Sequence, residues 1–306
     1  PGCPVCITPN ALHEAAISLL GGRESLTLAT FGDMTRVPTK QGSLQTAVPA
    51  RDSRLKIVYS PEEALALARS APGRETVFFG AGFETTIPAI AVTVKEARTA
   101  GLRNFSVLRA LWLIPPALRA LLEAGRIGVA GFLYPGHVSA IIGLEPYAFV
   151  AEEFGVPGAV AGFEPGDILL AVRSVLAQAV EGKPRVALEY ARAVRPGGNA
   201  VARKVMNEVL EPCDATWRGL GTIPASGLKF RRAYAGFDAA SKFGLRTSGP
   251  ARDLPGCRCG DVLRAALRPD ACRLFGIKCT PESPLGPCMV SYEGACLIHY
   301  KYGRRV

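Results

Sequence analysis

The sequence lacks most of the features that would place it outside ordinary globular proteins. No apolar run approaches the eighteen or more residues that a helical membrane span needs, so no membrane partner is expected. Clustered basic charge is also scarce. The net charge is +10, yet Arg and Lys are scattered and the densest run is only Lys229-Phe230-Arg231-Arg232. That argues against a nucleic-acid groove and for solvated basic faces, which would still attract an acidic partner protein. Cysteine is nearly missing from the first 250 residues, which hold three of the nine, and no apolar leader precedes Pro1. A secreted disulfide protein is therefore disfavoured, and the thiols point to a reducing cytoplasm. Gly80-Ala81-Gly82 lacks the third glycine and the lysine of a phosphate-binding loop, which makes a nucleotide-binding module the weakest reading.

What is present gathers at the carboxyl end. Six of the nine cysteines fall between Cys257 and Cys296, as Cys257-x-Cys259-x12-Cys272-x6-Cys279-x8-Cys288-x7-Cys296. Pro255, Gly256, Pro281, Pro284, Gly286, Pro287 and Gly294 interleave them, so the segment has little apolar core of its own and needs cross-links to hold it. Three chemistries compete. Disulfides suit small secreted domains rather than the tail of a 306-residue chain. Zinc usually takes paired C-x-x-C knuckles, and the tail offers one C-x-C pair with irregular gaps. An iron-sulfur cluster takes four thiolates, tolerates wide spacing and favours Gly- and Pro-rich wrapping, so spacing favours a cluster. Six thiols exceed four, which suggests four ligands beside a redox pair, or two buried thiols with no role.

At the other end Cys3-Pro4-Val5-Cys6 precedes a helical pattern of Leu12, Ala15, Ala16, Leu19 and Leu20 that Gly21-Gly22 ends. Thr8 is the expected N-cap and Pro9 the first helical residue, which sets the two thiols before a helix N-terminus, where thiolate is favoured. Half of a zinc knuckle is the structural alternative.

Between the ends, β-rich runs alternate with helical stretches. Strands are expected at Ser25–Phe31, Leu55–Tyr59, Thr76–Phe79, Phe105–Leu108, Ile127–Leu133 and Gly158–Ala161. Helices are expected at Pro61–Ser70, Ile87–Ala100, Pro115–Ala124, Pro146–Phe154 and Pro165–Glu181. Such alternation predicts parallel α/β sheets with ligands at the carboxyl ends of strands. Residues 184 to 250 are more mixed, with a strand at Arg185–Ala191, a helix at Asn199–Leu210, a Gly-rich run at Gly219–Gly227, and Cys213 as a lone thiol without a role. The strand-end turns hold the unusual residues. Ala81-Gly82-Phe83-Glu84 is echoed by Ala161-Gly162-Phe163-Glu164, suggesting two similar units that face a cleft. Tyr134-Pro135-Gly136-His137 places a histidine, one of three in the chain, at a strand end, where a site and a structural role are equally open. Phe31-Gly32-Asp33-Met34-Thr35-Arg36 carries one acid and one base, and a plain turn with a surface ion pair explains it as well as a site does.

Taken together, Pro1-Gly2-Cys3-Pro4-Val5-Cys6, Phe31-Gly32-Asp33-Met34, Gly82-Phe83-Glu84-Thr85-Thr86, Tyr134-Pro135-Gly136-His137 and Gly286-Pro287-Cys288-Met289-Val290-Ser291-Tyr292-Glu293-Gly294-Ala295-Cys296 closely resemble the HypD family of nickel-iron hydrogenase maturation proteins. The resemblance implies two Rossmann-like parallel-sheet domains facing a cleft, at residues 1–125 (incomplete at its amino end) and 126–250, and a small cysteine-rich 4Fe-4S domain at 251–306. It implies a cytoplasmic scaffold, rather than a stand-alone enzyme, on which iron receives cyanide and carbonyl ligands. Its partners would be a HypC-type chaperone, a HypE-type cyanide donor and, indirectly, the hydrogenase large-subunit precursor. By analogy with ferredoxin:thioredoxin reductase, Cys257, Cys272, Cys279 and Cys296 would hold the cluster, and Cys259 and Cys288 would be the adjacent redox pair. Cys3 and Cys6 would be redox thiols and, with Glu84, Thr85 and His137, would hold the iron and orient its diatomic ligands. Family members carry a Cys-Gly-Gly-His-Thr motif before this point, so the sequence is expected to be amino-terminally truncated. The rival function is an iron-sulfur thiol-disulfide oxidoreductase acting on a partner protein.

Overall fold

A computed structural model describes residues 3–49, 52–125, 129–247, 249 and 255–303. In chain order the elements are α1 (Pro4–Ile7), α2 (Asn10–Gly22), β1 (Leu26–Thr30), α3 (Gly32–Thr35), β2 (Leu55–Ile57), α4 (Pro61–Ser70), β3 (Glu75–Gly82), α5 (Ile87–Thr99), β4 (Phe105–Leu111), α6 (Ile114–Glu123), β5 (Phe132–Pro135), α7 (Gly136–Ile142), α8 (Ala148–Glu152), β6 (Gly158–Ala161), α9 (Pro165–Glu181), β7 (Val186–Leu188), α10 (Ala200–Val209), β8 (Leu210–Trp217), β9 (Gly221–Phe230), α11 (Ala239–Phe243), α12 (Cys259–Leu263) and α13 (Ala295–Tyr302). They group into two compact units. One comprises Pro1–Gly82, Ala89–Trp112 and Val209–Val306; the other comprises Phe83–Pro88 and Leu113–Glu208. The expected boundaries at 125/126 and 250/251 adjoin residues 126–128 and 250–254, which lie outside the described residues.

The first unit is built on a parallel sheet of order β2-β1-β3-β4. β1 is buried at every position and β3 at all but its first, as expected of parallel strands covered on both faces. The chain moves outward from β1 to β2 and then returns to the other side of β1 to form β3. The carboxyl ends of β1 and β3 therefore flank the point where strand order reverses, the usual place for a site in such sheets. α4 starts cleanly because Ser60 accepts the Glu63 N–H at 3.3 Å, Pro61 fills the first turn, and Glu63 reaches back to the Tyr59 N–H at 3.0 Å. The second unit has a parallel sheet of order β5-β6-β7, with α9 packed on β6. Gly182, at φ 64°, ends α9 in the left-handed conformation. Among the described residues no helix is long and apolar enough to cross a membrane.

The parallel α/β reading holds, and several local readings are corrected. Thr8 is not the N-cap of a helix starting at Pro9: it ends α1, its hydroxyl bonded to the Pro4 carbonyl at 2.7 Å, and Pro9 is the residue before α2. The reason is local, because Pro4 fits a first helical turn and lets Cys3 serve as the cap instead. Of the strand expected at Ile127–Leu133, residues 127 and 128 lie outside the described set, and the described strand is Phe132–Pro135. Pro146–Phe154 is a 3-10 turn at Glu145–Tyr147 followed by the short α8. The Gly-rich run at 219–227 belongs to an antiparallel hairpin of β8 and β9, with a bulge between Cys213 and Ala215. Pro212, Pro224 and the bulge break the alternation that would have revealed it.

Candidate functional site

The site grows from α1. Cys3 is its N-cap, 2% exposed, and its Sγ accepts the Cys6 N–H at 3.2 Å. One helical turn brings Cys6 back onto Cys3, since residues three apart share a face. The Cys6 thiol donates to Cys3 and holds its pKa below the ordinary value, and the Ser291 hydroxyl adds to this. Cys6 is fully buried, and burial drives its own pKa far up. The two thiols are thus unequal: Cys3 is the one disposed to be thiolate.

The tail reaches this pair through Cys288, in the 3-10 turn Pro287–Met289. Cys288 is fully buried and in hydrogen-bonding contact with Cys6 on one side and with Cys259 and Cys296 on the other. Its contact with Cys259 is the main cause of its raised pKa. Cys3, Cys6, Cys288, Cys259 and Cys296 therefore form one unbroken run of touching thiols. Two contacts dock the tail at the carboxyl end of β1. Arg36 donates to the Val290 carbonyl at 3.2 Å, and the Tyr292 N–H donates to the Asp33 carboxylate at 3.4 Å. The acid and base of the Phe31–Arg36 turn do pair, at 3.4 Å, but they also clamp the tail.

Beyond Cys288 lies a small pocket lined by Cys257, Cys259, Cys272, Cys279 and Cys296, with Val262, Leu274, Phe275, Leu285 and Met289 as apolar walls. The four residues assigned as cluster ligands by resemblance all line it, and Cys259 joins them. Gly286 passes between two of the thiols: a Cβ there would lie 2.6 Å from the Cys257 Sγ and 2.7 Å from the Cys259 Sγ. The Leu285 N–H donates to the Cys279 Sγ at 3.3 Å, and burial raises the pKa of this thiol. Five cysteines, a mostly apolar lining and an amide donor on the Cys279 sulfur are the chemistry that a 4Fe-4S cluster, whose irons each take one cysteine, requires. Among the described residues no group of three or more His, Cys, Asp or Glu side chains is drawn together closely enough to hold a metal ion.

In the second unit the motif residues have separate surroundings. Glu84 is 1% exposed; its Oε1 accepts the Ile114 N–H at 2.9 Å, and its Oε2 has no partner among the described residues. Burial raises its pKa to about 7. Thr85 is exposed. His137 is exposed too, with its ring 4.2 Å from that of Phe163. Among the described residues Glu84 and His137 share no hydrogen bond or ion pair.

A family model described as HypD, hydrogenase formation hypA family, matches residues 1–303. The chain belongs to the HypD family. It is 46% identical to the hydrogenase maturation factor HypD of Rhodobacter capsulatus over 307 residues, covering 99% of this chain and 81% of that relative. It is 45% identical to HypD2 of Bradyrhizobium diazoefficiens over 311 residues, covering 99% and 81%. With HypD of Escherichia coli K12 the figures are 42% over 305 residues, 99% and 80%.

In this HypD-family chain several residues of the site gave no signal of their own in the sequence. Ser291 and Gly286 stood inside the tail motif without a role. Arg218, 1% exposed, had none either, yet its backbone N–H donates to the Ile7 carbonyl at 2.8 Å and its guanidinium to the Thr8 carbonyl at 3.0 and 3.1 Å. Its charge adds to the burial that lowers the pKa of His13 to about 3, while His13 meets the Phe79 ring edge-on at 5.3 Å.

Proposed function

We propose that this chain acts in hydrogenase maturation, as a cytoplasmic scaffold on which an iron substrate acquires cyanide and carbonyl ligands. The observation that carries the reading is the continuous run of thiols from Cys3 and Cys6 through Cys288 to the five-cysteine pocket. Cys257, Cys272, Cys279 and Cys296 would hold a 4Fe-4S cluster, which when bound supplies or accepts single electrons. In this reading Cys259 and Cys288 would form the redox pair, with Cys288 exchanging with Cys6, and Cys3 would be the thiolate member that binds incoming iron, for which soft sulfur ligands suit. Glu84, Thr85 and His137 belong to this reading as groups that orient the diatomic ligands of the iron. A HypC-type chaperone, a HypE-type cyanide donor and the large-subunit precursor are the partners the reading requires.

The test is metal content and infrared absorption of protein purified without oxygen. About four irons and four sulfides per chain, with cyanide and carbonyl stretching bands that vanish in Cys3→Ser, are expected. Zinc without sulfide removes the electron source and ends the redox half of the reading. Sulfide-matched iron with no such bands, alongside catalytic reduction of a protein disulfide, favours an iron-sulfur thiol-disulfide oxidoreductase, which the same thiol run would serve.

A further inference from the structure

The hairpin of β8 and β9 lies outside every motif that the resemblance rests on, and its turn touches the backbone just after Cys6 and just after Cys259. On one side Arg218 closes over the end of α1. Its N–H takes the Ile7 carbonyl, and its guanidinium takes the Thr8 carbonyl twice and Asn10 Oδ1. On the other side Gly219, at φ 76°, lies so near α12 that a Cβ would stand 2.3 Å from the Gly260 Cα, beside Cys259. The Gly219 carbonyl also accepts from Arg264 at the end of α12.

α1 has only four residues, too few to hold a helical turn without outside help. Its amino end is capped by a thiol, and a thiol changes state in any redox step. Its carboxyl end is held by a fully buried guanidinium, a costly group to bury and one whose planar fork can meet several acceptors at once. We infer that Arg218 is the positioning residue of the Cys3–Cys6 pair: it keeps the single turn of α1 wound, so that the two thiols stay in register with each other and with Cys288. Arg218 does not touch the reacting sulfurs; it acts through the backbone of α1.

The inference rests on the reading of Cys3 and Cys6 as a redox pair. Their oxidation forms one S–S bond from two thiols, releasing two protons and passing two electrons to an acceptor such as glutathione disulfide. A loosened α1 lowers the effective concentration of one thiol at the other, so the disulfide forms less readily.

The experiment equilibrates the full chain with glutathione buffers and quantifies the disulfide in the peptide holding Cys3 and Cys6 by differential alkylation and mass spectrometry. Arg218→Met is expected to lower the disulfide equilibrium constant about tenfold, a shift of about 30 mV. Iron content and far-ultraviolet circular dichroism are expected to match the unmodified protein. Arg218→Lys keeps the charge but not the fork, and is expected to fall on the same side with a smaller shift. If Arg218→Met does not fold, Arg218→Lys decides. An equilibrium constant within twofold of the unmodified protein in the folded variant overturns the inference while leaving the redox pair standing. Failure of the unmodified protein to form the disulfide reversibly overturns both.

Discussion

Ala81-Gly82-Phe83-Glu84 and Ala161-Gly162-Phe163-Glu164 are the same four residues at the carboxyl ends of β3 and β6, each a middle strand of a parallel sheet, and their surroundings are opposite. Phe83 is 4% exposed and Phe163 56%. Glu84 is buried with one oxygen on the Ile114 N–H, whereas the Glu164 side chain is 80% exposed. The residue after each motif makes the difference. Pro165 comes directly after Glu164 and starts α9, which makes Glu164 the N-cap of that helix and closes a capping box with Asp167. After Glu84, Thr85 and Thr86 delay α5 until Ile87, and the freed carboxylate turns inward to the start of α6 instead. A repeated motif therefore repeats a place in the topology, while the next residue decides the chemistry.

The widest gap should appear at the aromatic pair. Phe83→Ala is expected to cost about 3–5 kcal/mol of stability, and Phe163→Ala to stay within about 0.5 kcal/mol, by urea denaturation of the two variants. Equal losses would dissolve the comparison.

Next comes the pH dependence of Glu84. Its pKa, about 7 when folded against 4.5 as the ordinary value, means that the folded state holds the proton more tightly. Stability is then full below pH 4.5 and is lost as pH rises through 7, by about 3 kcal/mol in all. Glu84→Gln should recover up to about 3 kcal/mol at pH 8 and nothing at pH 4, with Glu164→Gln as the exposed control; denaturation midpoints that shift equally at both pH values refute the assignment. The smallest effect belongs to the cap. Glu164→Ala should lose about 1 kcal/mol, and Glu164→Ser should restore most of it, measured as the shift of the thermal midpoint.

Much of this was legible beforehand where pattern and chemistry coincide. Pro61–Ser70, Pro165–Glu181 and Gly158–Ala161 fall where sequence alone puts them, because Pro at the first turn and a run of small apolar residues leave little choice. That the tail cysteines form one group followed from their density. That Cys288 meets Cys6 did not, since the contact is carried by Arg36 and Asp33, whose turn looked like an ordinary surface pair. Arg218 was hidden for the opposite reason: a single arginine in a Gly-rich stretch looks solvated, and only the folded hairpin reveals its carbonyl partners.

The first unit is assembled from three separated stretches, with nearly all of the second lying between the last two. A ribosome therefore releases everything the smaller unit needs before the hairpin and tail exist. At 5–20 residues per second, Cys3 and Cys6 wait on the order of tens of seconds for Cys288. Throughout that interval the Cys288 thiol is not there to pack against Cys6. The order in which the chain is made thus brings out the thiols of α1 long before the segment that packs over them.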